Sequence, residues 1–183
     1  MAIPNLTALS VLVADDSPQM RRLLIAMLNA LGIWKVRTAA DGRVAFEAIQ
    51  AERPDILITD ADMGHVGGME LVRSIRRNQD SNDPYLPIIM VTGHTEKSWV
   101  EDARDAGVNE FVAKPISAAS LYSRIAEVIL NPRPFVRSED YIGPDRRRRD
   151  SSKYGGPMRR KEDSHVTGDD DDALVFETKT AKS

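Results

Sequence analysis

At 183 residues the chain has room for one ordinary domain plus an appendage. The absence of cysteine excludes a disulfide framework and thiol chemistry and suits a reducing compartment. No apolar stretch reaches the ~18 residues of a bilayer span, and the amino terminus lacks a charged-then-apolar leader pattern, so a cytoplasmic protein without membrane insertion is expected.

In chain order, Val11–Ala14 is an apolar run ending at Asp15 and Asp16. Ser17-Pro18 then supplies an N-cap followed by proline at the first helical position, and Met20, Leu23, Leu24, Met27, Leu28 and Leu31 recur at helical spacing up to Gly32. On that helix Arg21 and Arg22 are expected to face outward. Val36 to Ala39 reads as a second strand, and Asp41-Gly42 opens a helix that lasts to about Glu52. Ile56–Thr59 runs into Asp60, and Gly68 to Asn78 forms a helix with Leu71, Val72 and Ile75 inward. A polar loop from Gln79 to Pro87 leads to Ile88–Val91, which ends at Thr92. A fourth helix near Ser98 to Ala106 is acidic and poor in large apolar side chains, which marks it as a moving part. Phe111–Ala113 precedes Lys114-Pro115, and Ala118 to Leu130 carries Leu121, Ile125, Val128 and Ile129 on one stripe. Five short strands, four of them apolar runs, alternating with five helical patterns predict an α/β fold, a doubly wound five-stranded parallel sheet over residues 1–130.

Beyond Leu130 the periodicity stops, and residues 131–183 are expected to be a mostly disordered tail in which Phe135 and Val136 can fold back onto the domain. The net charge of −3 conceals segregation within this tail. Residues 131–161 hold 10 basic and 4 acidic side chains, and residues 162–183 hold 2 and 7. Such blocks read as solvated interaction segments. The basic block contains a quasi-repeat: Tyr141, Gly143, Pro144, Arg146, Arg147, Arg148 and Asp150 recur as Tyr154, Gly156, Pro157, Arg159, Arg160, Lys161 and Asp163. Either compositional bias produces this match, or an aromatic, a Gly-Pro turn and a cationic cluster form one short anchor in two copies, with Arg146, Arg147, Arg159 and Arg160 as the anchoring charges.

The strand ends carry the chemistry. Parallel strands share a direction, so their carboxyl ends lie along one edge, where open sheets bind ligands. Asp15, Asp16, Asp60, Thr92 and Lys114 therefore converge. Clustered carboxylates repel one another unless a cation neutralises them, and Mg²⁺, which takes oxygen ligands and bridges carboxylates to phosphoryl oxygens, suits the set. Asp60 on the middle strand would be the nucleophile, with Lys114 and Thr92 taking oxygens of the transferring phosphoryl group.

In Asp15-Asp16, Asp60, Thr92 and Lys114-Pro115 the chain resembles a receiver domain of the bacterial two-component response regulators, similar to the stand-alone chemotaxis-type members, over roughly residues 8 to 130. The resemblance implies the flavodoxin-like fold and Asp60 as the phosphoacceptor. It implies Mg²⁺ held by Asp16 and Asp60, with Asp15 assisting and the backbone carbonyl of Asp62 as a further ligand. It makes Thr92 and Phe111 the switch pair, and the protein a signalling switch rather than an enzyme, catalysing only its own phosphorylation and dephosphorylation. The phosphodonor would be a histidine kinase or a histidine phosphotransferase, and the output an unidentified downstream protein. After the phosphoacceptor, Met63 and Gly68 match the family pattern, Gly64 stands where proline is usual, and Phe111 stands where tyrosine is commoner. His94, two residues after Thr92, lies where the family tunes dephosphorylation, or is simply a solvated loop residue.

A different function class is nucleic-acid or anionic-nucleotide binding through the arginine tail. Nucleic acid is not the expected partner, because no DNA-reading module accompanies those charges. Asp150-x-Ser152-x-x-Gly155 also resembles the cyclic-dinucleotide motif of PilZ domains, but the β-barrel that motif needs is missing from the pattern.

Overall fold

A computed structural model of the chain describes residues 6–77, 83–94, 96–137 and 141–145, together with the backbone of 164–165. The chain alternates β1 (Ser10–Ala14), α1 (Pro18–Ala30), β2 (Lys35–Ala39), α2 (Gly42–Ala51), β3 (Ile56–Asp60), α3 (Gly68–Arg77), β4 (Ile88–Thr92), α4 (Lys97–Ala106), β5 (Glu110–Ala113) and α5 (Ala118–Leu130). The strands form one parallel sheet in the order β2-β1-β3-β4-β5. This is the doubly wound α/β architecture expected from the alternation of apolar runs and helical stripes.

Successive residues of a strand point to opposite faces, and the core divides accordingly. Leu12, Leu57, Ile88 and Met90 meet α2, α3 and α4 on one face, whereas Val11, Val13, Ile58, Ile89 and Val91 meet α1 and α5 on the other. Each Leu or Ile fully removed from water contributes roughly 1.5–3 kcal/mol. α3 commits Leu71, Val72 and Ile75 to this core, but α4 buries only Ala103 and Ala106, with Trp99 half-buried, so α4 is the least firmly anchored helix. Local signals set the helix starts. Ser17 Oγ accepts the Met20 N–H at 3.3 Å ahead of Pro18, and the Asp41 carboxylate accepts the Val44 N–H at 2.8 Å.

Two features of α1 depart from the sequence reading. Leu23 is 43% exposed and stands off the core stripe, which Leu24 and Leu28 carry. Arg21 does not face outward: its guanidinium donates to the Asp15 carbonyl at 2.6 Å.

Beyond Leu130, Phe135–Arg137 (β6) pairs antiparallel with Ile142–Pro144 (β7), with Val136 opposite Gly143. A two-residue strand, Ser164–His165 (β8), pairs with the other edge of β6. Residues 131–145 hold too little apolar surface to form a core of their own, but they find one already built. Phe135 meets Tyr85 edge-on at 5.3 Å and lies beneath the Arg76 guanidinium at 5.2 Å. Arg133 pairs with buried Glu110, which Arg124 also approaches at 3.3 Å.

Arg76 is the centre of this floor. Only 1% exposed, it donates to the carbonyls of Gly107 and Pro84 and to Asn109 Oδ1 at 2.8–3.1 Å. Burial pulls its pKa down to about 10, against the opposing pull of Asp83 and Tyr141, so the charge survives at neutral pH. Hydrogen bonding of the guanidinium from several sides makes that buried charge tolerable. Gly107, with φ of 104°, ends α4 in the left-handed conformation over the same side chain.

Candidate functional site

Asp15 follows β1 and Asp60 ends its neighbour β3, at the point where the chain's progress across the sheet reverses, from β1 outward to β2 and then to β3 on the other side. One carboxylate oxygen from each of Asp15, Asp16 and Asp60 lies within 4.8 Å of the others. Asp15 and Asp60 are buried, and Asp16 is exposed. The Lys114 ammonium approaches Asp60 Oδ2 at 2.9 Å, and the Lys114 N–H donates to the Thr92 carbonyl at 2.8 Å, fixing the end of β5 against that of β4. The Lys114-Pro115 peptide is cis. Thr92 follows Val91, the register partner of Asp60, and is also buried.

The electrostatics are those of a site short of positive charge. Burial holds the Asp15 carboxyl above the usual carboxylate range, and neighbouring Asp60 and Asp16 push the same way, while the Ser17 N–H and Lys114 oppose it. Asp15 Oδ1 accepts that Ser17 N–H at 2.8 Å. Asp15 Oδ2 and Asp60 Oδ1, by contrast, are buried oxygens without a hydrogen-bond partner. Buried anionic oxygens left unpaired are costly, and a hard divalent cation would satisfy both, so the donor set fits a metal of the magnesium class.

Gly68 shapes the wall behind Asp60. A Cβ there would fall 2.0 Å from the Asp60 carbonyl oxygen, so α3 can begin this close to the carboxylate's backbone only with glycine. Gly64 has open space around its Cβ position, so the residue that replaces the usual proline is under no steric demand.

The loop after β4 carries an arrangement the sequence reading did not reach. The His94 N–H donates to Thr92 Oγ1 at 2.9 Å, and its Nε2 lies 2.8 Å from Asp62 Oδ2. The same imidazole stacks on Trp99 of α4, with ring centroids 5.1 Å apart, and Trp99 meets Phe111 edge-on at 6.5 Å. Trp99 was therefore the missed residue. A large aromatic in an otherwise acidic helix was the available signal.

The profile described as the response regulator receiver domain matches residues 11–126. The chain belongs to that family. It is 32% identical over 120 residues to the chemotaxis protein CheY of Pseudomonas aeruginosa, covering 66% of this chain and 95% of that protein. It is 37% identical over 123 residues to CheY1 of Helicobacter pylori, covering 67% and 97%. The crystal structure of CheY4 of Vibrio cholerae superposes with a TM-score of 0.61 at 30% identity, covering 67% of this chain and all of that one. This receiver domain is thus a phosphoryl-accepting signalling module of the CheY-like kind, a switch rather than a classical enzyme. These matches lend no support to the nucleic-acid reading of the arginine tail. Arg146, Arg147, Arg159 and Arg160 lie outside the described residues. Among the described residues no helix is long and apolar enough to cross a membrane.

Proposed function

We propose that this receiver takes a phosphoryl group from a phosphohistidine of a kinase or phosphotransferase onto Asp60, and that the modified domain alters its hold on a downstream protein in the cytoplasm. The observation that carries the reading is the Lys114 ammonium 2.9 Å from Asp60 beside the Asp15 and Asp16 carboxylates. In the transfer, a carboxylate oxygen of Asp60 bonds to phosphorus as the bond from phosphorus to the donor imidazole nitrogen breaks. Lys114 and the Thr92 hydroxyl take the oxygens of the group in flight, where positioning and charge neutralisation are most of the catalysis. Asp15, Asp16, Asp60 and the backbone carbonyl of Asp62 would hold Mg²⁺, which when bound supplies charge neutralisation for the transferred group.

The output begins at Thr92. Its hydroxyl is already engaged by the His94 N–H, and drawing it toward a phosphoryl group would tug the chain from His94 to Trp99 to Phe111. With Thr92 and Phe111 as the switch pair, that movement reaches α4, the helix with least buried apolar surface.

The test is labelling by a small acyl phosphate. The wild-type protein should label in Mg²⁺ and fail to label in excess chelator, and Asp60→Ala should not label under either condition. Undiminished labelling of that variant would overturn the assignment of Asp60.

A further inference from the structure

The tail repeat meets the floor of the domain at its first copy. Tyr141 turns back over its own turn: its hydroxyl donates to the Pro144 carbonyl at 2.8 Å and reaches the Arg104 carbonyl at the end of α4 at 3.4 Å. Gly143 lies beneath that ring. A Cβ at residue 143 would fall 2.5 Å from the Tyr141 hydroxyl oxygen and 3.0 Å from the Cα of Gly107. No other residue type fits there without the ring or the helix end moving. Pro144, which has no N–H to offer, sits opposite Phe135 at the end of the β6–β7 pair, and its buried carbonyl is used by Tyr141.

The geometry thus reduces the docking unit to three determinants: a tyrosine, a glycine two residues on, and a proline after it. The same three recur in the same spacing as Tyr154, Gly156 and Pro157, while Ile142, a spacer, becomes Gly155. Both copies lead into arginines, Arg146-Arg147 and Arg159-Arg160. The end of α4 on which the first copy docks exposes Asp102 and Asp105, carboxylates of complementary charge.

We propose that the site formed by the carboxyl end of α4, Gly107 and Arg76 is a binding site for Tyr-x-Gly-Pro-x-Arg-Arg segments, and that residues 154–160 of this chain are its alternative occupant, competing within the molecule with residues 141–147. The repeat is then one plug in two copies for one socket on the receiver itself. Exchanging the plugs changes how much chain loops out beside α4 and which arginines are presented there. Replacement of the half-buried Ile142 by glycine makes the second copy the weaker occupant, by about tenfold if roughly half of an isoleucine's burial is lost. This inference stands independently of phosphorylation.

The experiment follows the Gly107 amide and the Arg76 Nε–H by nitrogen-15 NMR in the full chain. Tyr141→Ala should leave a substantial part of the Gly107 signal at its wild-type position, Tyr154→Ala should leave nearly all of it, and the double variant should lose it. Adding a synthetic peptide of residues 151–160 to the double variant should restore it, and the same peptide with alanine for Tyr154 should not. Should loss of Tyr141 prevent folding, the wild-type chain, which has no cysteine, offers a trapping test. The pair Asp105→Cys with Lys153→Cys should accumulate an intramolecular disulfide, and adding Gly156→Val should slow it at least fivefold. The proposal is overturned if Tyr141→Ala displaces Gly107 as fully as the double variant, if the two peptides act alike, if disulfide forms equally fast with Gly156→Val, or if light scattering shows Tyr141→Ala to be a dimer, which would place the second copy on another chain.

Discussion

His94 Nε2 lies 2.8 Å from Asp62 Oδ2, joining the loop after β4 to the loop that follows Asp60 at the end of β3. Because the same ring stacks on Trp99, these two loops and the first turn of α4 are tied at one imidazole. If that bridge shields the Asp60 phosphoryl group from attacking water, His94→Ala should shorten the phosphate lifetime by about fivefold, the effect of roughly 1 kcal/mol in the barrier. Asp62→Ala, which releases the imidazole without removing it, should act in the same direction. Decay of the labelled protein after removal of the donor measures both, and an unchanged half-life for His94→Ala would make it a solvated loop residue.

Asp15 gives a prediction whose sign differs with and without metal. Its carboxyl is held above the usual range chiefly by burial, so without metal the fold favours the protonated form. The folded protein then binds more protons than the unfolded chain between the ordinary and the raised pKa, and Asp15's contribution to stability falls as pH rises through that window. At pH 7 Asp15→Asn should therefore stabilise the metal-free protein by about 1 kcal/mol, because it removes a buried charge but can still accept the Ser17 N–H. In saturating Mg²⁺ the advantage should vanish or reverse. Urea unfolding midpoints in chelator and in Mg²⁺ decide it, and a variant less stable than wild type in chelator would refute the account.

Lys114 should separate binding from switching. Lys114→Ala removes the ammonium from Asp60 but leaves the carboxylate cluster, so Mg²⁺ should still bind. Trp99 can report the difference once Trp34, the other tryptophan, is replaced by phenylalanine. In that background Mg²⁺ with beryllofluoride should change Trp99 emission in the parent, whereas Lys114→Ala should respond to Mg²⁺ alone and show no further change. A normal beryllofluoride response in the lysine variant would remove Lys114 from the coupling.

The contrast between what the sequence disclosed and what it hid has a physical basis. The inner strands were legible because both of their faces are covered, so runs such as Ile56–Thr59 and Ile88–Val91 are largely apolar, whereas the edge strand β2, with Lys35 and Arg37, gives a weaker signal. The convergence of Asp15, Asp16, Asp60 and Lys114 was legible because parallel strands deliver their carboxyl ends to one edge. Arg76 was not, since an arginine near the end of an amphipathic helix gives the same pattern whether it is solvated or buried under later chain. The return of Phe135 was legible as a fold-back of an aromatic after the last helix, but the seat of Tyr141 was not, for the same reason as Arg76. Periodicity registers an element that builds a core, and residues 135–144 dock on one already present. The His94–Asp62 contact joins residues 32 apart in two loops, where no period links them.

That docked segment supplies the last prediction. Ending the chain after Asn131 would strip Phe135 from Arg76 and Tyr85, Arg133 from Glu110, and Tyr141 from the end of α4. Glu110 keeps Arg124, so its charge is not abandoned, but the Arg76 guanidinium loses its aromatic cover, a contact worth about 0.5–2 kcal/mol by itself. With the apolar area of Phe135 added, the total loss should be about 3 kcal/mol. Phe135→Ala in the full chain should fall between the truncation and wild type. Ending the chain after Asp145 instead keeps every one of these contacts and should change stability by less than about 0.5 kcal/mol. Urea unfolding of the three proteins in chelator separates the outcomes. If the chain ending at Asn131 matches the full-length protein, the segment merely rests on the floor of the receiver, and Arg76 carries its buried charge on the Gly107, Pro84 and Asn109 oxygens alone.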